Sequence, residues 1–450
     1  MVNKIEWCCN FDIEVMFKNI KPFEYKKVIE LLNEYYNIDY YKTLLKKIKN
    51  IKNNTNFLNK YDPYIEQMVI EYVKCRKNSI VITFYPNATN IFNDKKVFDF
   101  LNKNGNVYFV KDETITENGA KSLIYQLYAN TPYLKNIRDI EYKVEKCGWD
   151  KNKENIKICV YELKNNNTNI RIFKETLRQL FINNTNDSNH KSYLHINDTF
   201  LETIQYTELY FNKNSMDFLN QQMLHRHLSH FTYGCHELLK KFKTWIYKNI
   251  PLLEIKRFLV FSSAILYVYG FRKCNDLDVF IYHLPISDEL CKIIDKNVFT
   301  EKSVCDKLDV SMKGVDTWIT GGPKEHWDVY FVKDWPESFG AKNIEEVVFN
   351  PKFHLNFIGL KFNTLEADLK RRIIRSRPSS FANIIAVDKF LYRNTKIILP
   401  HEYYKMQGVK NILNTPAKID KFLTSIKYRL LERYQINISL IELKKIFKVL

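Results

Sequence analysis

Two aspartates stand two residues apart inside an apolar, strand-forming run, YGFRKCNDLDVFIY, residues 269–282. Few features constrain a fold more, because a carboxylate in an apolar interior is costly unless paired, hydrogen-bonded or bound to a metal. Alternation along a strand sends Asp276, Asp278 and Phe280 to one face and Leu277, Val279 and Ile281 to the other. Two Cα atoms on the same face lie about 6.6–7 Å apart. At that spacing two carboxylates can converge on one divalent ion, or bridge two ions about 3.5–4 Å apart. Hard oxygen ligands suit Mg²⁺, with Mn²⁺ as the alternative, and such ions also accept phosphate oxygens. A lone Asp near a strand start is commonly a cap or turn residue. A pair at i, i+2 flanked by Leu, Val, Phe and Ile is not explained that way.

The flanking residues extend the pattern. IKRFLVFSSAILYVYG predicts a strand over about 256–261, a tight turn at Ser262–Ser263 and a short helix over 264–269, with the next strand at 277–282. A third carboxylate comes from WITGGPKEHWDVYFV, where Gly321, Gly322 and Pro323 predict a turn and Asp328 starts the strand that follows.

This arrangement resembles the nucleotidyltransferase fold of the DNA polymerase β superfamily. There a strand ending in GG or GS precedes ALxLxGxRxTxDLD, and a third Asp follows on a later strand. SSAILYVYGFRKCNDLDVFI matches at Ala264, Leu266, Gly270, Arg272, Asn275, Asp276 and Asp278. GLKFNTLEADLKRRIIRSRPSSFANIIAV, residues 359–387, resembles the tail GxKVxSLEDLIxMKxxAxRxKDxxDI of many small nucleotidyltransferases, so the likeness covers about 256–390. It implies a two-metal transfer of a nucleoside monophosphate from a nucleoside triphosphate, with pyrophosphate released. Asp276 and Asp278 would hold the ion that grips the triphosphate, and both with Asp328 the ion that activates the acceptor hydroxyl. Ser262 and Ser263 would contact the β- and γ-phosphates, and Arg272 and Lys273 would neutralise charge. The chain departs from the family at Ser262 and Ser263, whose Cβ atoms hinder the close approach that glycine permits. It departs again in the tail, where Ser379, Ser380 and Asn383 replace Lys-Asp and Asp and Arg372 stands at the usual lysine.

The whole chain also resembles uncharacterised proteins of large DNA viruses and some bacteria. They share HINDT...E, YGxRxxNDLD and NPxxHxxFxGLKFxxL segments, the last here running from Asn350 and Pro351 through His354 to Phe362. Such proteins often accompany glycan-building enzymes.

Bulk properties bound the rest. A chain of 450 residues with 45% hydrophobic and 27% charged residues is expected to form two or three globular domains. No apolar run approaches a membrane span, and the first thirty residues lack a secretory pattern, so an intracellular, cytoplasmic location without membrane partners is expected, viral origin included. Nine scattered cysteines without a CxxC pair predict a reducing compartment and no structural zinc. The net charge of +18 suits nucleotides, RNA or another polyanion, although an AT-rich genome also over-supplies Lys, Asn, Ile, Tyr and Phe.

Periodicity predicts an α/β (α+β) chain with a helical N-terminal segment over 1–76 and an α/β domain with a mostly parallel sheet over 77–212. A nucleotidyltransferase-like domain with a mixed sheet is expected over 213–395 and a helical C-terminal subdomain over 396–450. HINDTFLE, 195–202, admits a phosphate at a helix N-terminus, but Thr199 and Glu202 have capping-box spacing, and the cap is the simpler reading. His225, His227 and His230 lack metal-ligand spacing.

Three functions fit. The first is nucleotidyl transfer to an RNA 3′ end, a protein hydroxyl or a sugar phosphate, with RNA favoured by aromatic side chains that can stack on bases. The second is a binding or scaffold protein of the same fold without turnover. The third is a glycan-pathway enzyme in which DxD grips a nucleotide sugar. The nucleotide, the acceptor and the oligomeric state stay open.

Overall fold

The computed structural model describes residues 66, 69–70, 73–74, 76–89, 95–129, 137–149, 153–165, 168–182, 190–221, 234–252, 254–271, 274, 277–282, 316–320, 326–330, 336–375, 380–392, 416–434 and 436–446. Most of the predicted N-terminal helical segment therefore lies outside the described residues. The chain divides into two compact units, Met1–Leu224 with Leu355–Leu360, and His225–His354 with Lys361–Leu450.

In the first unit β1 (Ser79–Phe84), α1 (Lys95–Asn104), β2 (Gly105–Thr116), α2 (Glu117–Leu127), α3 (Ile137–Lys146), β3 (Lys153–Leu163), α4 (Ile170–Ile182), β4 (Leu194–Ile196), α5 (Phe200–Tyr210) and α6 (Lys213–Gln221) follow in order. Strand–helix alternation is present, but the sheet is not parallel. Its order is β2-β3-β1-β4 and every neighbouring pair is antiparallel. The reason lies in which strands become neighbours. One full helix separates β1 from β2, and one separates β3 from β4, so each of those pairs runs parallel, as a single crossover requires. Each pair is split by a strand of the other, which gives two interleaved split β-α-β units and an antiparallel ladder. Periodicity reports elements, not adjacency.

The central β1, SIVITF, is buried at all six positions, as a β-branched run with both faces covered should be. Ile80, Ile82 and Phe84 join Leu101 of α1 and Phe173, Leu177 and Phe181 of α4 in one core cluster. From α5, Thr203 donates to the Ser79 carbonyl at 3.1 Å, and the Tyr210 hydroxyl lies 2.8 Å from Thr83 Oγ1. The edge strand β4 is covered from α4, where Lys174 and Arg178 donate to the carbonyls of Ile196 (2.7 Å) and Leu194 (3.3 Å). The i, i+4 rise of a helix, about 6 Å, matches the i, i+2 rise of a strand, so two cations cover alternate carbonyls of an otherwise open edge.

Residues Leu355–Leu360 return to this unit. The Asn356 amide donates to Ser215 Oγ at 2.8 Å and the Ile358 amide to Gln126 Oε1 at 3.0 Å. Phe357 packs its ring against Tyr125 and Phe218.

The second unit carries α7 (Gly234–Asn249), β5 (Phe258–Phe261), α8 (Ser263–Val268), β6 (Leu277–Ile281), β7 (Asp316–Thr320), β8 (His326–Tyr330), α9 (Ile344–Phe349), β9 (His354–Phe357), β10 (Leu360–Asn363), α10 (Leu365–Arg375), α11 (Phe381–Tyr392), α12 (Pro416–Tyr434) and α13 (Leu440–Ile446); the tip of its β9–β10 hairpin belongs to the first unit. The sheet order is β7-β8-β6-β5-β10-β9. It is the mixed sheet expected of this half: β6 pairs parallel with β8 and β10 with β5, whereas β5–β6 and β7–β8 are antiparallel. With helices and antiparallel or mixed sheets in both units, the chain is α+β. No described helix is long and apolar enough to cross a membrane.

Candidate functional site

The site is built where four strand ends meet. β5 terminates at Phe261, which pairs with Asp278 on antiparallel β6. Asp278 is in turn in register with Asp328 on parallel β8. Two carboxylate-bearing positions therefore stand side by side on neighbouring strands, Asp278 one strand and Asp328 two strands over from the strand that ends at the Ser262–Ser263 turn. Asp278 is half-buried, between the buried Leu277 and Val279. Asp276, Arg272 and Lys273 lie outside the described residues, and Asp328 is described only as a strand position. Among the described residues no three His, Cys, Asp or Glu side chains gather at metal-binding distance.

The turn after β5 is unusual. Ser262 adopts φ 65° and ψ −120°, a conformation that favours glycine, and its side chain does not cap α8. This is the position where the sequence departs from a glycine pattern. The backbone has kept a glycine-like shape with a serine in it. The helix that follows, SAILYV, is buried along its whole length.

β10 lies on the other side of β5, with Phe362 beside Val260. The next residue, Asn363, is fully buried, and neither amide atom of its side chain has a hydrogen-bond partner among the described residues. Thr364 then accepts from the Ala367 amide at 3.3 Å to start α10. One turn in, the fully buried Asp368 accepts from Arg371 at 3.0 Å and from Arg372. The Arg371 guanidinium lies 5.0 Å from the centre of the Phe261 ring, a cation–π contact. Burial draws Arg371 below its ordinary value; Asp368 acts in the opposite sense, as does the charge of Asp278. Arg371 Nε and Arg372 Nη2 have no hydrogen-bond partner among the described residues.

Reasoning from sequence therefore missed Asn363, Asp368 and Arg371. The signal for the last two was present in LEADLKRR, because Asp368 precedes Arg371 and Arg372 at the i, i+3 and i, i+4 spacing that brings helix side chains together. Asn363 carried no comparable signal: a single Asn at a strand end reads as a turn residue.

Elsewhere the capping reading of HINDTFLE holds. Thr199 Oγ1 accepts from the Glu202 amide at 3.2 Å, and Glu202 Oε2 accepts from the amides of Asp198 (2.8 Å) and Thr199 (3.3 Å). His225, His227 and His230 lie outside the described residues.

No family model, curated protein or solved structure matches the chain. The chemistry of the site has to be read from its own geometry.

Proposed function

We propose that the second unit is a metal-dependent nucleotidyltransferase, moving a nucleoside monophosphate from a nucleoside triphosphate to an acceptor hydroxyl. The observation that carries this reading is the register of Asp278 against Asp328, one strand from the end of β5. Neighbouring strands lie about 4.8 Å apart, close enough for two carboxylates to serve one ion. The donor set fits Mg²⁺ or Mn²⁺, since Asp278, Asp328 and Asp276 offer hard oxygens only. Bound there, the ions would offset phosphate charge and polarise the oxygens of an in-line displacement.

The chain's own residues supply binding and position. The Ser262–Ser263 turn receives the β- and γ-phosphates, and Arg272 and Lys273 bring positive charge to them. Arg371 places a positive charge near Asp278. Beside them the side-chain amide of Asn363 and Nε of Arg371 are buried without a hydrogen-bond partner among the described residues. In the reaction an acceptor oxygen bonds to the α-phosphorus as the bond to the pyrophosphate oxygen breaks. The proton of the acceptor hydroxyl passes to solvent and pyrophosphate leaves. Such chemistry depends on positioning and charge more than on a reactive side chain.

The test is pyrophosphate release from each of the four nucleoside triphosphates with Mg²⁺ or Mn²⁺, with RNA 3′ ends as the first acceptor tried. Asp278→Asn and Asp328→Asn should each lower the rate by about 100-fold, the scale of losing one group that stabilises the transition state. Release that survives both substitutions overturns the proposal. Saturable triphosphate binding without turnover would instead assign a non-catalytic member of the same fold. Turnover of nucleotide sugars alone would assign a glycan-pathway enzyme.

A further inference from the structure

A second cluster of charge lies in the first unit and has no part in the reading above. A cavity of about 1060 Å³ is bounded by α3, α4, α5 and the edge strand β4. Among the described residues its walls carry five cationic side chains, Lys143, Arg171, Lys174, Arg178 and Lys191, against three acidic ones, Glu175, Asp198 and Glu202. Four of its basic residues, Lys143, Lys174, Arg178 and His195, are more than nine-tenths buried. Buried charge of one sign is costly unless it is matched.

Part of the cluster is structural. Lys174 pairs with Asp198 at 2.8 Å and Arg178 with Glu175 at 2.7 Å while both cover the β4 carbonyls. Glu202 is engaged as the cap of α5. Among the described residues the cations of the wall therefore outnumber its acids by two, and Lys143, which donates to the Lys191 carbonyl at 2.7 Å, forms no ion pair there, nor do Arg171 and Lys191. Arg178 Nε is buried with no hydrogen-bond partner among the described residues, and so is His195 Nδ1.

The state of His195 follows from its neighbour. The Tyr206 hydroxyl donates its only proton to the Leu127 carbonyl at 2.6 Å. The contact of 3.2 Å between that hydroxyl and His195 Nε2 must then have the histidine as donor. Nδ1 is left as a lone pair. Burial, with Lys174, Arg178 and Lys143 nearby, holds the histidine well below its ordinary value of 6.5, so the ring is neutral and Nδ1 is an acceptor. Among the described residues the cavity thus has an excess of cations for an anion, and His195 on its wall has a buried acceptor without a partner. Its volume is far beyond the needs of a bare inorganic ion and lies just above the usual span of small-molecule pockets, about 300–1,000 Å³.

We infer that this cavity binds a small hydroxylated phosphate monoester, its phosphoryl group among Lys143, Arg178 and Lys191 and a hydroxyl donating to His195 Nδ1. The inference is independent of nucleotidyl transfer, because it uses none of the residues of that site.

Calorimetric titration of the full chain with glucose 1-phosphate and ribose 5-phosphate tests it, with inorganic phosphate, sulfate and glucose as comparisons. The sugar phosphates should bind at least about tenfold more tightly than inorganic phosphate, a difference of about 1.4 kcal/mol. Arg171→Ala and Lys191→Ala change exposed side chains, leave the fold intact, and should together weaken binding about tenfold. His195→Gln keeps a donor towards Tyr206 but removes Nδ1, and should erase the preference for sugar phosphates over inorganic phosphate. Asp278→Asn should leave this binding unchanged. No saturable binding of either sugar phosphate overturns the inference, as does binding that the Arg171, Lys191 and His195 variants leave intact or that Asp278→Asn abolishes.

Discussion

At Ser262 the backbone holds φ 65° and ψ −120°, where a Cβ is crowded and glycine is not. A non-glycine residue in such a well stores about 1–3 kcal/mol, and replacement by glycine returns some of that gain as unfolded-state entropy. Ser262→Gly should therefore raise stability by about 1 kcal/mol in urea unfolding, whereas Ser262→Ala, which keeps the Cβ, should show no gain. Equal effects of the two substitutions would mean that the backbone of the turn is not under strain. Strain of this kind persists where the surrounding structure over-determines the conformation, and here β5 and the wholly buried α8 hold both ends of the turn. Asp368 is a second residue whose role is set by its surroundings. It is fully buried and compensates Arg371 and Arg372 together, so it belongs to the support of the site and not to its ligand set.

Among the elements, β4 shows how a short edge is stabilised. It has three residues, one neighbour in the sheet, and a helix whose Lys174 and Arg178 cover its outer carbonyls. The chain then passes from β4 into α5 through a complete capping box at Thr199 and Glu202. Thr199→Ala removes one side of that box and should cost about 1 kcal/mol of unfolding free energy, the usual scale for an N-cap. Thr199→Ser should restore most of it, since the hydroxyl is what accepts the Glu202 amide. A loss that serine does not recover would point to packing of the threonine methyl instead. Because the same turn carries Asp198 and borders the cavity, the cap also sets the position of Glu202 on its wall.

For the molecule as a whole, the notable feature is that the first unit is not continuous in sequence. Leu355–Leu360 supplies it with Phe357 between Tyr125 and Phe218, and with backbone donors to Ser215 and Gln126. The Asn356 side chain adds a hydrogen bond to the Glu208 carbonyl at 2.9 Å. A fragment ending at Leu224 loses all of these. It should bind a hydrophobic dye more strongly than the full chain, and its unfolding midpoint should be lower than that of the first unit in the full chain. A fragment that matches the full chain in both measurements would show that the returning segment contributes nothing to the unit's stability.

What could be read from the residues alone was local. The run LDVFI forms a strand, FLVF forms another, and the serine pair between strand and helix marks a turn, because apolar periodicity and turn chemistry act over a few residues. The capping box was equally legible, since its partners are three residues apart. The parallel sheet expected over 77–212 failed for the complementary reason. Alternation of strand and helix is the same whether β3 inserts between β1 and β2 or not, and only long-range packing chooses. The same limit applies to the candidate site. Asp278 and Asp328 are fifty residues apart, and only strand register brings them side by side. Asn363, Arg371 and the cavity around His195 became visible only through burial and hydrogen-bond accounting in three dimensions. Sequence determines which segments become strands, helices and caps. Tertiary structure decides which of them become neighbours, and so which polar groups must find a partner once water has been removed.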